Sequence, residues 1–355
     1  MDELAVVRRR LRAQRLAGEP LACPAAAVAW LGALQAQEFA EAKWSVAERV
    51  RACTDADVEA AFARGEILRT HLLRPTWHFV AAADIRWLLA LTAPRVHALN
   101  RYMYRRVELD AATLARGGEV VASELADGEA RTRPELGAVL ARAGIAAEGF
   151  RLGYLLMHAE LEGLVCSGPR RGRQHTYALL AQRAPDAAVL PREDALAELT
   201  QRFFRSRGPA TVRDFTTWSS LTAADARAGL ALVGDELERV EARGTEWYSA
   251  PGRAPRRGRT GAFLIPMYDE LTIGYRDLRV VLAAPSQGGL ERPVVIEGRT
   301  VGTWKRTLTR RAVVVDVTLF AALDPAQRAA LELAAERFGR FLGLAAELRV
   351  SGRAS

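Results

Sequence analysis

Gln35 and Gln37 flank Ala36 in "LGALQAQEFAEAKWS", residues 31–45, where an apolar helical pattern runs out. A carboxamide carries two donors and an acceptor oxygen, and it does not titrate near neutral pH. It can hold a water molecule in one orientation without acting as a base. Such modest help suits a reaction whose leaving group is already activated. On a continuing helix, residues two apart point to nearly opposite sides, so both amides reach one spot only if the helix ends here. The stripe Val28, Leu31 and Leu34 loses its periodicity just after Gln35, which predicts such an end. Without further context, two polar residues at a helix terminus remain the simpler account.

Other reactive constellations are missing from the sequence. His71, His78, His97, His158 and His175 show no ligand spacing with carboxylates or thiols, and no metal site is expected. His71 and His78 lie in alternating, strand-like sequence and fit structural or DNA-facing roles. No glycine-rich phosphate loop follows a strand, which argues against a nucleoside triphosphatase, and no cofactor is expected. The acids Asp269 and Glu270 in "MYDEL" are adjacent, so on a strand they would point to opposite faces. Lys43 and Lys305 are the only lysines, which leaves Lys43 as the one amine near the glutamines for Schiff-base chemistry. Among reactions that need little acid or base, one is cleavage of the N-glycosidic bond of an N7-alkylated guanine. That base carries a positive charge and departs neutral.

The 355 residues suffice for two or three domains. Formal net charge is +8, with a pI near 9.9, and nearly all of the basic charge is arginine. A GC-rich genome accounts for arginine over lysine but not for the excess of base over acid. That excess points to a polyanionic partner, nucleic acid first. No run approaches the roughly 20 apolar residues of a membrane span, and the amphipathic start reads as a first helix instead of a signal peptide. Cys23, Cys53 and Cys166 are odd in number and scattered, against a disulfide framework. A cytoplasmic location, on the nucleoid, is expected.

These residues must be placed by a plan that occurs three times. In the middle copy, Thr132 and Glu135 have capping-box spacing, Pro134 lies in the first turn and Gly144 is a stop. A second helix, "GFRLGYLLMHAELEG", precedes a hairpin in "LVCSGPRRGRQHTYALL" with Arg170, Arg171 and Arg173 at its tip. Helix, helix and hairpin is the plan of a winged helix. A third copy has caps at Thr211 and Thr222 and a turn at Gly244, while the first copy, with a cap at Thr54, is less regular. Beyond the Gly/Pro/Arg stretch "SAPGRAPRRGRTG", which contains Arg253, Arg256, Arg257 and Arg259, the chain turns β-rich and closes with one helix.

"LGALQAQE", "LRTHLLRPTWHFVAAADIRWLL", "FRSRGPATVRDFTTWSSLT", "LIPMYDELTIGYRD" and "EGRTVGTWKR" together resemble the AlkZ-like (YcaQ-type) winged-helix DNA glycosylases, in order and over almost the whole chain. The resemblance implies an α+β, mainly helical fold. Three tandem winged-helix units are expected over 1–115, 116–195 and 196–258, with a C-terminal β-rich subdomain and final helix over 259–355. It implies excision of N7-alkylguanine adducts from double-stranded DNA by a monomer without cofactor, and in some members unhooking of interstrand crosslinks. The family's signature, glutamine, an apolar residue, then glutamine or aspartate, falls on Gln35, Ala36 and Gln37. DNA contacts are expected from Arg74, Arg170, Arg171, Arg173, Arg256 and Arg257. The rival reading is a non-enzymatic regulator built on the same winged helices, although an obvious dimerisation helix or ligand domain is lacking.

Arginine contacts to phosphate make binding indifferent to sequence and sensitive to salt. Each phosphate neutralised adds about −0.9 to the slope of log affinity against log salt. Duplex affinity should therefore fall steeply with salt across unrelated sequences, as a fluorescence titration can measure. A flat response, or tight binding to one motif alone, would favour the regulator.

Overall fold

In the computed structural model, described for residues 3–242, 244–252, 261–276 and 292–352, one succession of elements occurs three times. Helix α1 (Glu3–Ala13) precedes the first occurrence, which runs α2 (Pro24–Leu31), β1 (Leu34–Gln35), α3 (Phe39–Ala47), α4 (Asp55–Arg64), β2 (Ile67–Leu72) and β3 (Arg74–Ala81). The long helix α5 (Ile85–Arg106) leads to the second. It comprises α6 (Ala111–Glu124), β4 (Arg131–Thr132), α7 (Arg133–Arg142), α8 (Gly149–Leu161), β5 (Val165–Arg171) and β6 (Gln174–Leu179). After the short α9 (Leu180–Arg183) the third has α10 (Arg192–Arg207), α11 (Val212–Ser219), α12 (Ala223–Val233), β7 (Glu238–Ala242) and β8 (Thr245–Ser249). The first two sheets are ordered β1-β3-β2 and β4-β6-β5. In the third, a single bridge between Ala210 and Tyr248 stands where the short strand lies in the others.

Local sequence explains the helix starts. Thr54 with Asp57, Thr132 with Glu135, Thr211 with Asp214, and Thr222 with Asp225 all form reciprocal capping boxes. Each satisfies two otherwise unpaired backbone donors, and losing such a cap typically costs about 1 kcal/mol. Gly144 follows the end of α7 at φ 75°, and Gly244 sits in the β7–β8 turn at φ 69°. Both backbone conformations favour glycine.

The C-terminal region contains β9 (Ala262–Leu264), the short helix α13 (Glu270–Ile273), β10 (Pro293–Ile296), β11 (Arg299–Leu308), β12 (Ala312–Leu319) and β13 (Ala345–Gly352). The strands form one sheet in the order β13-β12-β11-β10-β9. Only β12 and β13 run parallel, joined by the final helix Pro325–Leu342. The sequence pattern shows the helix but not β13, whose Ala and Gly residues carry little strand signal. The apolar string "RVVLAAP" and the arginines of "GRAPRRGR" lie outside the described residues. The fold is α+β, with more helix than strand, and among the described residues no helix is long and apolar enough to cross a membrane.

The cores cross the segments expected from sequence. Trp44 of α3 packs with Phe338 of the final helix at 4.9 Å between ring centroids, and Trp304 of β11 meets the same ring at 5.1 Å. A second cluster gathers Phe203 and Phe204 of α10, Phe215 and Trp218 of α11, and Trp87 and Leu88 of α5. The first occurrence is thus held between the C-terminal sheet and the third.

Asp269 and Glu270 sit at the join, and they are structural. Instead of lying on a strand, Asp269 caps α13 and accepts from the Leu271 amide at 2.8 Å. Both of its oxygens meet the buried Arg49 guanidinium at 2.8 Å. Burial alone would raise the Asp269 pKa, but the Arg49 charge and the hydrogen bonds from Arg49 and Ser45 outweigh it and hold it below the usual aspartate range. A carboxyl with a depressed folded pKa contributes stability above its unfolded value, lost as pH falls through the folded one. Asp269→Asn should cost about 3–5 kcal/mol near pH 7, as expected for breaking a buried pair. The gap to wild type should narrow below about pH 4, measured by denaturant melts across pH.

Candidate active site

Gly32 takes φ 73° and ends α2 three residues before Gln35. The chain then runs extended: Leu34 pairs with Phe79, Gln35 pairs with His78, and the Ala36 amide donates to the Trp77 carbonyl at 2.7 Å. Along a strand, alternate side chains share a face. Gln35 and Gln37 therefore project together while Ala36 points into the core, where it is fully buried. The helix end expected from sequence comes earlier, at Gly32, and extended chain carries the two amides.

Three contacts set this segment. The buried Glu270 carboxylate accepts from the Gln35 backbone amide at 3.0 Å. Arg207 donates to the carbonyls of Leu31 at 2.8 Å and Ala33 at 3.0 Å, and it pairs with Glu270 at 2.7 Å. On the other side, Arg69 of β2 donates to the Ala36 carbonyl at 2.9 Å, with its guanidinium 4.2 Å from the centre of the Trp77 ring. Burial lowers the Arg69 pKa to about 10, so it remains a cation at neutral pH.

The side chains are oriented from β3. Arg74 donates to Gln35 Oε1 at 2.9 Å and to the Trp218 carbonyl at 2.9 Å. His78, the register partner of Gln35, has Nδ1 2.9 Å from the Thr76 carbonyl and Nε2 3.4 Å from Arg74. Burial first, and the Arg74 charge second, push its pKa well below the usual histidine range. A neutral ring that donates from Nδ1 and accepts at Nε2 satisfies both contacts. Gln37 is exposed, and its Oε1 receives the Trp77 amide at 3.4 Å. Among the described residues nothing engages the Gln35 amide nitrogen, and each carboxamide oxygen keeps a second lone pair.

Gln37 opens onto a cleft of about 490 Å³ between the β2–β3 hairpin and the second occurrence. Its walls include His71, Trp77, Phe150, Tyr154 and Tyr177, and Gln35 lies behind Gln37, outside the lining. Phe150, at the start of α8, is 77% exposed. His71 is wedged between Trp77, at 4.4 Å, and a direct contact to the buried Glu160. Fixed carboxamides beside aromatic walls can orient water and receive a flat ring, with no group that must titrate.

A family model described as DNA glycosylase AlkZ-like matches residues 28–341. The chain belongs to the AlkZ-like DNA glycosylase family. It is 29% identical over 318 residues to the interstrand DNA cross-link repair glycosylase of Streptomyces sahachiroi, covering 83% of this chain and 85% of that protein. The solved structure of the S. sahachiroi DNA glycosylase AlkZ superposes with a TM-score of 0.81 at 25% identity, over 98% of each chain.

In this member the expected DNA-contacting arginines divide. Arg74 is half-buried and occupied by Gln35 and Trp218. Arg170 is also half-buried, pairs with Glu59 at 3.0 Å and lies 4.9 Å from the centre of the Phe39 ring. Arg171 is exposed but pairs with Glu135 at 2.8 Å. Arg173 is exposed, and no partner holds it among the described residues; Arg256 and Arg257 lie outside them. Of the other acids near the site, Asp84 is paired with Arg202 and Glu38 is exposed beside Gln37. Sequence reasoning missed Arg69, Arg207 and the anchoring role of Glu270, whose partners are 33 to 235 residues away. It also missed one local signal: His158 and Glu162 are four residues apart at the end of α8, a spacing that brings side chains together on a helix.

If Arg74 orients Gln35, Arg74→Ala should slow single-turnover base release about 10- to 100-fold, or roughly 1.4–2.7 kcal/mol in barrier. DNA affinity, measured alongside by anisotropy, should hardly change. A matching loss of affinity with unchanged turnover would make Arg74 a phosphate contact instead.

Proposed function

We propose that this chain is a monofunctional DNA glycosylase that hydrolyses the N-glycosidic bond of N7-alkylguanines in duplex DNA. The observation that carries the reading is the extended Gln35–Ala36–Gln37 segment, held on β3 with both carboxamides on one face beside an aromatic cleft. Gln35 and Gln37 orient the attacking water and face the developing oxocarbenium sugar. Arg74 holds the Gln35 carboxamide and Glu270 its backbone amide beforehand, so that little reorganisation of that group accompanies the reaction.

The three recurring successions of helix, short strand or bridge, two helices and hairpin are read as winged helices around the duplex. Arg173 at one hairpin tip, together with Arg171 and the arginines 256 and 257, supplies phosphate contacts. The cleft is open at Phe150, which suits bulky adducts. The likeness to a cross-link repair glycosylase extends the proposal to unhooking of interstrand crosslinks. No metal or cofactor takes part in the bond cleavage, and the protein acts as a monomer.

Lyase chemistry needs an unprotonated amine at the sugar. The Lys43 amine instead lies buried between Asp55 at 2.8 Å and Glu59 at 2.9 Å, tied to both carboxylates. Glutamine, for its part, cannot donate a proton strongly enough to expel a neutral base. Cationic N7- and N3-alkylpurines are therefore the substrates, and uracil and 8-oxoguanine are not.

On duplex carrying N7-methylguanine or a bulkier N7 adduct, released base should appear by chromatography. Gln35→Ala or Gln37→Ala should lower that release roughly 10- to 1,000-fold with DNA affinity nearly unchanged. Full activity in both variants, or efficient uracil excision from undamaged DNA, would overturn the assignment.

A further inference from the structure

We propose that a divalent transition-metal ion of the zinc class binds between α5 and α8, held by His97, His158 and Glu162. The three residues each place one ligand atom within 4.8 Å of the others. Glu162 Oε1 lies 3.0 Å from His97 Nε2 and 3.8 Å from His158 Nε2. Zinc bonds of 2.0–2.2 Å to imidazole nitrogen and carboxylate oxygen put tetrahedral ligands about 3.3 Å apart. The two Glu162 spacings lie on either side of that value, and the third is within 4.8 Å, so side-chain rotations bring the set to the ion.

The surroundings suit a metal better than a simple ion pair. His97 Nε2 faces the Glu162 carboxylate at 3.0 Å, and among the described residues His158 Nδ1 has no hydrogen-bond partner. The far side of the His97 ring, Nδ1, meets the Tyr104 hydroxyl at 3.0 Å. Such an outer contact orients a ligating imidazole and selects its tautomer. Glu162 is exposed, which leaves an entry path and room for water as a fourth ligand. Two imidazoles with one carboxylate favour zinc, cobalt or nickel over magnesium or calcium, which prefer oxygen ligands throughout.

The ion pins two helices that are distant in sequence. His97 comes from α5, which follows the β2–β3 hairpin, whereas α8 carries Phe150 and Tyr154 of the cleft wall. Metal binding therefore stiffens the cleft without entering it, and the site does not depend on the base-excision reading.

The test uses untagged full-length protein stripped by chelator. Cobalt should give the intense visible absorption of a four-coordinate ion at one equivalent, and excess zinc should bleach it. Zinc about a hundredfold above its Kd should raise Tm by roughly 3–5 °C. Glu162→Gln changes an exposed side chain and His158→Ala a half-buried one. Both should remain folded by circular dichroism while losing the absorption and the Tm shift. Only weak absorption of hydrated cobalt, or equal zinc shifts in wild type and both variants, would overturn the proposal.

Discussion

The buried pair of Arg207 and Glu270 is the interaction on which the geometry of the candidate site depends. Removing two such charges from water is costly, and mutual attraction repays it only when every remaining polar atom finds a partner. Here it does so through the site itself. Glu270 accepts from the Gln35 amide, the Trp218 indole at 2.8 Å and Arg207, while Arg207 donates to the Leu31 and Ala33 carbonyls. The groups that neutralise the pair are the backbone groups that set the course of residues 31–35. Any drift of that segment would strand a buried charge.

This coupling is what the proposed role of the amides requires. Groups that neither donate nor accept a proton outright gain their effect from placement, and placement decays quickly with motion. Gln35 is fixed at its backbone by Glu270 and at its side chain by Arg74. Beside it, Arg49 and Asp269 form a second buried pair, and Gln14 links the two by accepting from Arg49 at 2.7 Å and donating to the Glu270 carbonyl at 3.1 Å. Gln14 just after α1, Arg49 just after α3, Arg207 of α10 and Glu270 of α13 thus meet under one strand of two residues. The apolar middle of the signature also has a reason: Ala36 is the inward member of an alternating triplet, so a polar residue there would be buried.

Much of the fold was legible because its signals are local. The caps at Thr54, Thr132, Thr211 and Thr222, the turn at Gly244 and the final helix depend on residues three or four apart. Gln35 and Gln37 were legible as a pair, and the blocks around them carried the family resemblance. Their local conformation was misjudged because Gly32 ends α2 earlier than the apolar pattern does, and two residues of β1 hold too little pattern to announce a strand. Asp269 and Glu270 stood out as an acidic pair, but nothing beside them in sequence says that each faces a buried arginine.

Sequence by itself determined the capped helices, the recurring helix–helix–hairpin order, the excess of arginine and the presence of two non-titrating amides on either side of one residue. These follow from periodicity, capping and side-chain chemistry, which act over a few residues. Tertiary structure alone decided which face the amides share, that Arg74 turns inward to Gln35, that Arg170 is spent on Glu59, and that His97 meets His158 and Glu162. Those outcomes rest on contacts between residues tens to hundreds of positions apart. Burial there sets the strength of each charge and hydrogen bond, and no local pattern encodes burial across such distances.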